Sequence, residues 1–337
     1  LHRKMGLKML QPSDFSGLDF SYEHINNILN IENDRLNDLR PSNDIINSFN
    51  NFIEEYNNDF NMNEIVKFHL DKITKSFFKI NVYSEIDETQ KKIDNYHFIF
   101  ETIINKLSPF IEDIKKTASK KIKTPLLKID NNDRDGYFIS ITSKRAEVLK
   151  QNLKKENYPQ LEIKFTNKTI LFDTKSLETK LATKPNVKLT NNYLKELSNN
   201  LIELEHSIHI LCRDKFLERL GYYYNKYDLT LKEITNFIAN IDLIKCISKT
   251  SCIYGYVKPK INNNINSFIS AKEIRHPIIE RINNDTNYVT NDINLGINDN
   301  TKDNTTGILL FGTNASGKSS LMKAIGLNII MAQAGFY

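Results

Sequence analysis

The apolar positions along the 337 residues change period three times. In the first third they recur at helical spacing. Ser42-Asn43-Asp44 reads as a helix start before Ile45, Ile46 and Phe49, and Phe52, Ile53 and Tyr56 continue the same face. Met62 to Phe78 repeats apolar residues at Ile65, Phe68, Leu70, Ile73 and Phe77, and this spacing predicts a further helix. From Ser84 a long helix is predicted through Ile86, Ile93, Phe100, Ile103 and Leu107, with Pro109 bending it.

The period then shortens to two. Leu126–Ile129 and Tyr137–Ile141 read as strands around a turn with Gly136 at a positive-φ position. Leu161–Phe165 alternates and is followed by Thr169–Phe172, with Asn167-Lys168 at the turn. From Leu189 the helical period returns. Leu194, Leu197, Leu201, Leu204, Ile208 and Leu211 form a heptad seam, and a second helix is predicted from Leu231 to Ile247. The helices before and after the β-rich insert are expected to pack as antiparallel arms. Beyond Lys249, strands are expected at Ile253–Val257, Ser267–Ser270 and Gly307–Phe311, with Asn294–Thr306 as a surface loop.

Composition narrows the classes. With 26% charged and 40% hydrophobic residues the chain is a globular sequence of about two domains. No apolar run reaches the roughly 18 residues of a membrane span, and no secretory leader is expected at the start. Three cysteines without a Cys-x-x-Cys make neither a disulfide framework nor a thiolate zinc site, which suits a reducing, intracellular compartment. Asn, Lys and Ile are abundant, as AT-rich coding produces. The absence of an initiating Met and the apolar last residues suggest a piece of a longer protein.

The net charge of +5 is unevenly spread. Residues 1–114 carry net −7, residues 115–190 net +10 and residues 191–337 net +2. A basic middle segment suits a surface facing a polyanion, and a solvated Lys-rich face is the plain alternative. Lys144, Arg145, Lys150, Lys154 and Lys155 follow the Ile139–Ile141 strand and are the candidates for phosphate contact.

One motif carries chemistry. Gly312-Thr313-Asn314-Ala315-Ser316-Gly317-Lys318-Ser319 fits G-x-x-x-x-G-K-[ST], between an apolar run and a helical one. The glycines let the backbone turn its N–H groups toward phosphate. Lys318 would reach the β- and γ-phosphates, and the Ser319 hydroxyl would ligate Mg²⁺, so ATP and Mg²⁺ are the implied cofactors.

At these residues the chain resembles the MutS family of DNA mismatch-recognition ATPases. The loop through Ser320 is similar to the family's G-P-N-M-G-G-K-S-T, and Ile330-Met331-Ala332-Gln333-Ala334-Gly335 to its L-M-A-x-x-G. Arg275-His276-Pro277-Ile278-Ile279-Glu280 matches R-H-P-x-x-E, and Tyr288-Val289-Thr290-Asn291-Asp292 the segment ahead of the loop. Asp135–Ile141 resembles the clamp strand H-G-Y-Y-I-x-I, and Ile241-Asp242-Leu243-Ile244 the L-D-V-L closing the lever. The loop variant resembles relatives in large DNA viruses and organelles. Thr313, Ala315 and Ser316 depart from the family's Pro, Met and Gly at positions that contribute mainly backbone.

The resemblance implies a mixed, mainly α fold: long helical lever arms, a small β-rich clamp insertion, then the start of an α/β P-loop ATPase domain. The implied division is core and lever at 1–120, clamp at 121–188, returning lever at 189–250 and the first part of the ATPase domain at 251–337. It also implies that Tyr288 stacks on adenine. The partners would be mismatched double-stranded DNA and a second MutS-type subunit, as homodimer or otherwise, with no membrane. No Phe-x-Glu wedge and no Walker B carboxylate lie in this stretch, so hydrolysis and mismatch reading are expected only of the full-length protein. The alternatives are an ABC- or SMC-like ATPase and a helical scaffold with a degenerate nucleotide site.

Overall fold

The computed structural model describes residues 2–31, 36–114, 126–132, 134–165, 168–181, 186–262, 266–282, 288–298 and 303–336. The fold is mainly α with small antiparallel sheets, as expected. The chain divides into two compact units, residues 1–234 and 235–337.

The first unit is built on α7, one unbroken helix from Asn192 to Tyr254 whose N-terminal part lies in this unit. The expected break before Leu231 does not occur. Leu229-Thr230 carries neither Pro nor Gly, and Thr230 and Leu231 are themselves buried, so nothing interrupts the ladder. The predicted heptad seam also drifts. Leu194, Leu197, Leu201 and Ile208 are buried, but Leu204 and Leu211 sit half-buried at its margin. Cys212, Phe216, Leu220, Tyr223 and Tyr227 continue the stripe instead. A straight helix of 3.6 residues per turn moves its buried face away from a strict seven-residue repeat.

Helix α3 (Asn43–Asp59) begins where the sequence places it, with the Ser42 Oγ accepting from the Ile45 N–H. It runs antiparallel to α7. Ser48 bonds Thr230 at 2.8 Å, Lys226 reaches Glu55, and Arg219 donates from Nη2 to Asp59 Oδ1 at 2.7 Å. Helix α5 (Ser84–Leu107) is also antiparallel to α7, with Glu85 facing Lys215 at 3.9 Å and Tyr96 accepting from Asn200 at 3.3 Å. The expected antiparallel arms are therefore present. At Pro109 the α-helix gives way to a 3₁₀ turn over Ser108–Ile114.

Between these helices lies an aromatic cluster. Beyond the short α1 (His2–Gly6), Phe15 from α2 (Phe15–Leu29) meets Tyr56, Phe60 and Phe216 edge-on at 5.9, 5.2 and 5.9 Å. Phe52 meets Tyr223 at 5.6 Å. Such geometries add to the burial energy of large rings. The expected helix over 62–78 is confined to α4 (Met62–Ile65). Beyond it the chain turns irregularly so that Phe77 and Phe78 reach Phe60, and packing of three aromatics overrides the helical spacing.

The insert forms a four-stranded antiparallel sheet in the order β1-β2-β6-β5: β1 (Lys128–Asn132), β2 (Gly136–Thr142), β5 (Glu178–Leu181) and β6 (Asn186–Thr190). A separate hairpin pairs β3 (Gln160–Phe165) with β4 (Lys168–Asp173). Asn167 of the predicted turn lies outside the described residues. Asn132 Oδ1 accepts from the Arg134 and Asp135 N–H groups and shapes the β1–β2 turn. Gly136 sits at φ 65°, and a Cβ there would lie 2.5 Å from both Ser198 Oγ and Ile202 Cδ1. The strand therefore lies directly on α7. Tyr137 donates its N–H to Ser198 Oγ at 2.8 Å and its hydroxyl to Glu205.

In the second unit β7 (Phe268–Ile274), β8 (Asn291–Asn298) and β9 (Asp303–Thr305) form an antiparallel sheet. The expected strand at Ser267–Ser270 is borne out as the start of β7. The expected loop over 294–306 instead carries the end of β8 and all of β9, whose polar side chains hide the pairing from a hydrophobic pattern. Ile253–Val257 is not a strand, because α7 continues to Tyr254 and then turns. Gly307–Phe311 forms no strand, with Leu309 87% and Phe311 89% exposed. An apolar run becomes a strand only where a neighbour offers a ladder, and none does among the described residues. Among those residues no helix is long and apolar enough to cross a membrane.

Asp59 is the most consequential polar side chain of the first unit. It is 6% exposed and bonded by Arg219 and Tyr223. Asp59→Ala is expected to cost about 3 kcal/mol by leaving a poorly solvated guanidinium unpaired. Thermal denaturation of the variant checks this, and an unchanged midpoint would show the network to be incidental.

Candidate nucleotide site and basic face

Helix α9 runs from Lys318 to Gln333 and is capped at its start by Gly317 in the left-handed region, φ 90°. No side chain caps this terminus, so its first N–H groups face the loop and are free for an anion. The loop Gly312–Gly317 is exposed, and Ala315 sits at φ 61°. The Ser316 N–H closes a turn on Thr313 O at 3.3 Å. A Cβ at Gly312 would come within 2.9 Å of Ser316 Oγ, so glycine keeps this wall of the loop close.

The Lys318 ammonium folds back over the loop. It donates to Gly312 O at 2.8 Å, Thr313 O at 2.6 Å and Ser316 Oγ at 3.4 Å. A cation thus stands over a ring of backbone beside an uncapped helix start, with the Ser319 and Ser320 hydroxyls in its first turn. This donor set fits a polyphosphate and its Mg²⁺. Asn314 lies in the exposed arc between the two glycines. Tyr288 is half-buried three residues before β8.

The second group of candidates lies on α6 (Ser143–Lys155), a helix the sequence pattern did not announce. Its buried face is Ala146, Leu149 and Leu153, packed under β2 and the 3₁₀ turn, where Asn152 Nδ2 donates to Phe110 O at 2.8 Å. At 3.6 residues per turn, Lys144 and Lys155 share the outward face, Lys150 and Lys154 lie on one flank, and Arg145 on the other. Lys144, Lys150, Lys154 and Lys155 are exposed and Arg145 is half-buried. Lys150 donates to Thr179 Oγ1 of β5 at 2.8 Å. Residues 115–125 of the basic segment lie outside the described residues.

Sequence reasoning missed the purpose of Arg275-His276-Pro277. Helix α7 ends in a turn where the Tyr256 N–H bonds Ser251 O at 3.0 Å around Gly255 at φ 61°. The Arg275 guanidinium donates to the last carbonyls, Tyr254 O at 3.2 Å and Gly255 O at 3.1 Å. It also faces Glu280 at 3.4 Å. His276 is buried, and its Nδ1 accepts from the Ile278 and Ile279 N–H groups, starting the short helix α8 (Ile279–Ile282). Arg281 stacks on the Tyr254 ring at 3.7 Å and donates to the Tyr256 hydroxyl at 2.7 Å. The motif was visible in the sequence. Its partners, some 20 residues upstream, were not.

The comparisons with known proteins point one way. Residues 99–184 match the family model described as MutS family domain IV. A putative DNA mismatch repair protein, a mutS homolog of Acanthamoeba polyphaga mimivirus, is 29% identical over an alignment covering 100% of this chain and 32% of that protein. A mitochondrial DNA mismatch repair protein mutS homolog of Sarcophyton glaucum is 26% identical over 79% of this chain and 25% of its own length. The DNA mismatch repair protein MutS of Petrotoga mobilis is 26% identical over 73% and 26%. The chain spans about a third or less of these relatives. The resemblance read from the loop, the Arg-His-Pro segment and the clamp-like strand is thus borne out by similarity along the whole chain to MutS mismatch-repair proteins.

Proposed function

We propose that the chain is the lever, clamp and nucleotide-loop portion of an ATP-dependent mismatch-repair protein that holds duplex DNA. The observation that carries the reading is the Lys318 loop, an uncapped helix start under a cation, in a chain related to mismatch-repair proteins. Residues 1–120 would form the core and outgoing lever, 121–188 the clamp, 189–250 the returning lever and 251–337 the first part of the ATPase domain. ATP and Mg²⁺ would be the cofactors. Gly312, Thr313, Asn314, Ala315, Ser316 and Gly317 would wrap the phosphates, Lys318 would neutralise them, and Ser319 with Ser320 would supply hydroxyls, Ser319 to the metal. The partners would be mismatched duplex DNA and a second MutS-type subunit.

Lys318→Ala in the full-length protein should reduce nucleotide turnover on the order of 10²-fold. A steady-state ATPase assay tests this, and wild-type activity would remove the phosphate-binding role. For Tyr288 the proposed role is to stack on the adenine. Titration with a fluorescent ATP analogue should show weakened binding for Tyr288→Ala and normal binding for Tyr288→Phe. Equal loss in both would assign the hydroxyl, not the ring.

The exposed lysines of α6 would contact the DNA backbone without reading its sequence. Duplex affinity measured against salt should fall steeply. Replacing Lys144, Lys154 and Lys155 by Ala should reduce the log–log slope by about 0.9 for each phosphate that is no longer neutralised. An unchanged slope would leave α6 a solvated face.

A further inference from the structure

We propose that Asn328 and Arg275 form a relay holding the nucleotide-loop helix to the end of the long helix, and that Arg275 is the positioning residue of that relay. The inference rests on the nucleotide-loop reading above and extends it to residues that touch neither phosphate nor DNA.

The relay is a short series of hydrogen bonds within the second unit. Asn328 lies on α9, ten residues beyond Lys318. Its Nδ2 is shared between its own helix, Ala324 O at 2.8 Å, and the Arg275 main-chain O at 2.9 Å. Arg275 directly follows β7, so α9 is fastened to the end of that strand. The Arg275 side chain then takes the other direction and binds the last carbonyl of α7, Tyr254 O, and that of Gly255 just beyond it. Hence one residue is held by α9 through its backbone and holds α7 through its side chain.

The energetics favour arginine at this place. The C-terminus of an α-helix carries partial negative charge and unpaired carbonyls, which a cation in the last turn stabilises. The Schellman-type turn at Gly255 already satisfies Ser251 O, and the guanidinium reaches Tyr254 O and Gly255 O. Glu280, with its side chain 12% exposed, fixes the fork from behind. The Tyr256 hydroxyl donates to Glu280 Oε1 at 3.1 Å while accepting from Arg281. A planar fork can serve two carbonyls and a carboxylate at once, and an ammonium cannot do so in the same geometry. A displacement of α9 on filling its N-terminal loop would therefore pull on Arg275 and disturb the last turn of α7.

The test uses the full-length protein, with Asn328→Ala as the main variant because alanine suits an α-helix and leaves the loop intact. Duplex affinity is measured with and without a non-hydrolysable ATP analogue, together with hydrogen exchange at the backbone amides of residues 252–256. In the parent protein the analogue should change duplex affinity by about 5- to 150-fold, the usual span of coupled sites, and alter exchange at those amides. In Asn328→Ala the factor should fall to about twofold or less, with the exchange response abolished and analogue affinity retained. Arg275→Lys should abolish the coupling in the same way, which guards against a folding defect peculiar to one variant. Full coupling in both variants would overturn the relay and leave the nucleotide-loop reading standing. A parent protein that binds no analogue would overturn that reading and the relay with it, and a parent that binds both ligands without coupling would overturn the relay alone.

Discussion

The first unit depends on a single buried carboxylate. Asp59 closes α3 and receives Arg219 and Tyr223 from α7. Burying that charge is tolerable only because both partners come from one face of one helix, four residues apart. The requirement fixes the register of α3 on α7, since a shift of one residue would carry the guanidinium off the carboxylate. With the register set, Ser48 meets Thr230, Glu55 meets Lys226, and the rings of Phe52, Phe60 and Phe216 find their ring neighbours. Burial, and the Asp59 carboxylate that accepts its hydrogen bond, push the Tyr223 phenol well above its ordinary range, so it stays a donor.

Helix α7 gives that register its reach. Three separate segments, α3, α5 and the β2 strand, are fastened to it by different chemistry. For α3 it is a charged network, for α5 a weaker polar pair and an exposed ion pair, and for β2 the missing side chain of Gly136 with the Ser198 and Glu205 bonds. Where it ends, the Arg275 fork takes over its carbonyls. The same helix thus organises the core, seats the sheet and terminates near the segment that precedes the candidate nucleotide loop.

The legible part of this design was what local physics decides. Ser42 announced α3, Asp135-Gly136 announced the clamp-like hairpin, and the Gly312–Ser319 pattern announced the loop and helix α9. Illegible were the features that depend on distant partners. Nothing in Phe68–Phe78 says that Phe77 and Phe78 will abandon a helix to reach Phe60, and nothing in Asp303–Thr305 looks like a strand without β8 beside it. The heptad reading of α7 failed for a subtler reason: six leucine-type positions fit a seven-residue repeat, while the buried stripe after Ile208 passes to Cys212 and Phe216. The lysines of α6 were found by charge, but only the helix showed that Arg145 faces away from Lys150 and Lys154.

The placement of α7 late in the chain has a consequence for biosynthesis. The partners of Asp59 lie 160 residues downstream, Thr230 is 182 residues beyond Ser48, and the anchor of Tyr137 on Ser198 is 61 residues away. A ribosome therefore releases α3 and its rings long before the helix that buries them exists. Pairings of such sequence separation form slowly and leave apolar surface uncovered in the meantime. During that interval Phe52, Tyr56 and Phe60 have their α2 neighbours but lack the Phe216 and Tyr223 face of α7 that completes their burial.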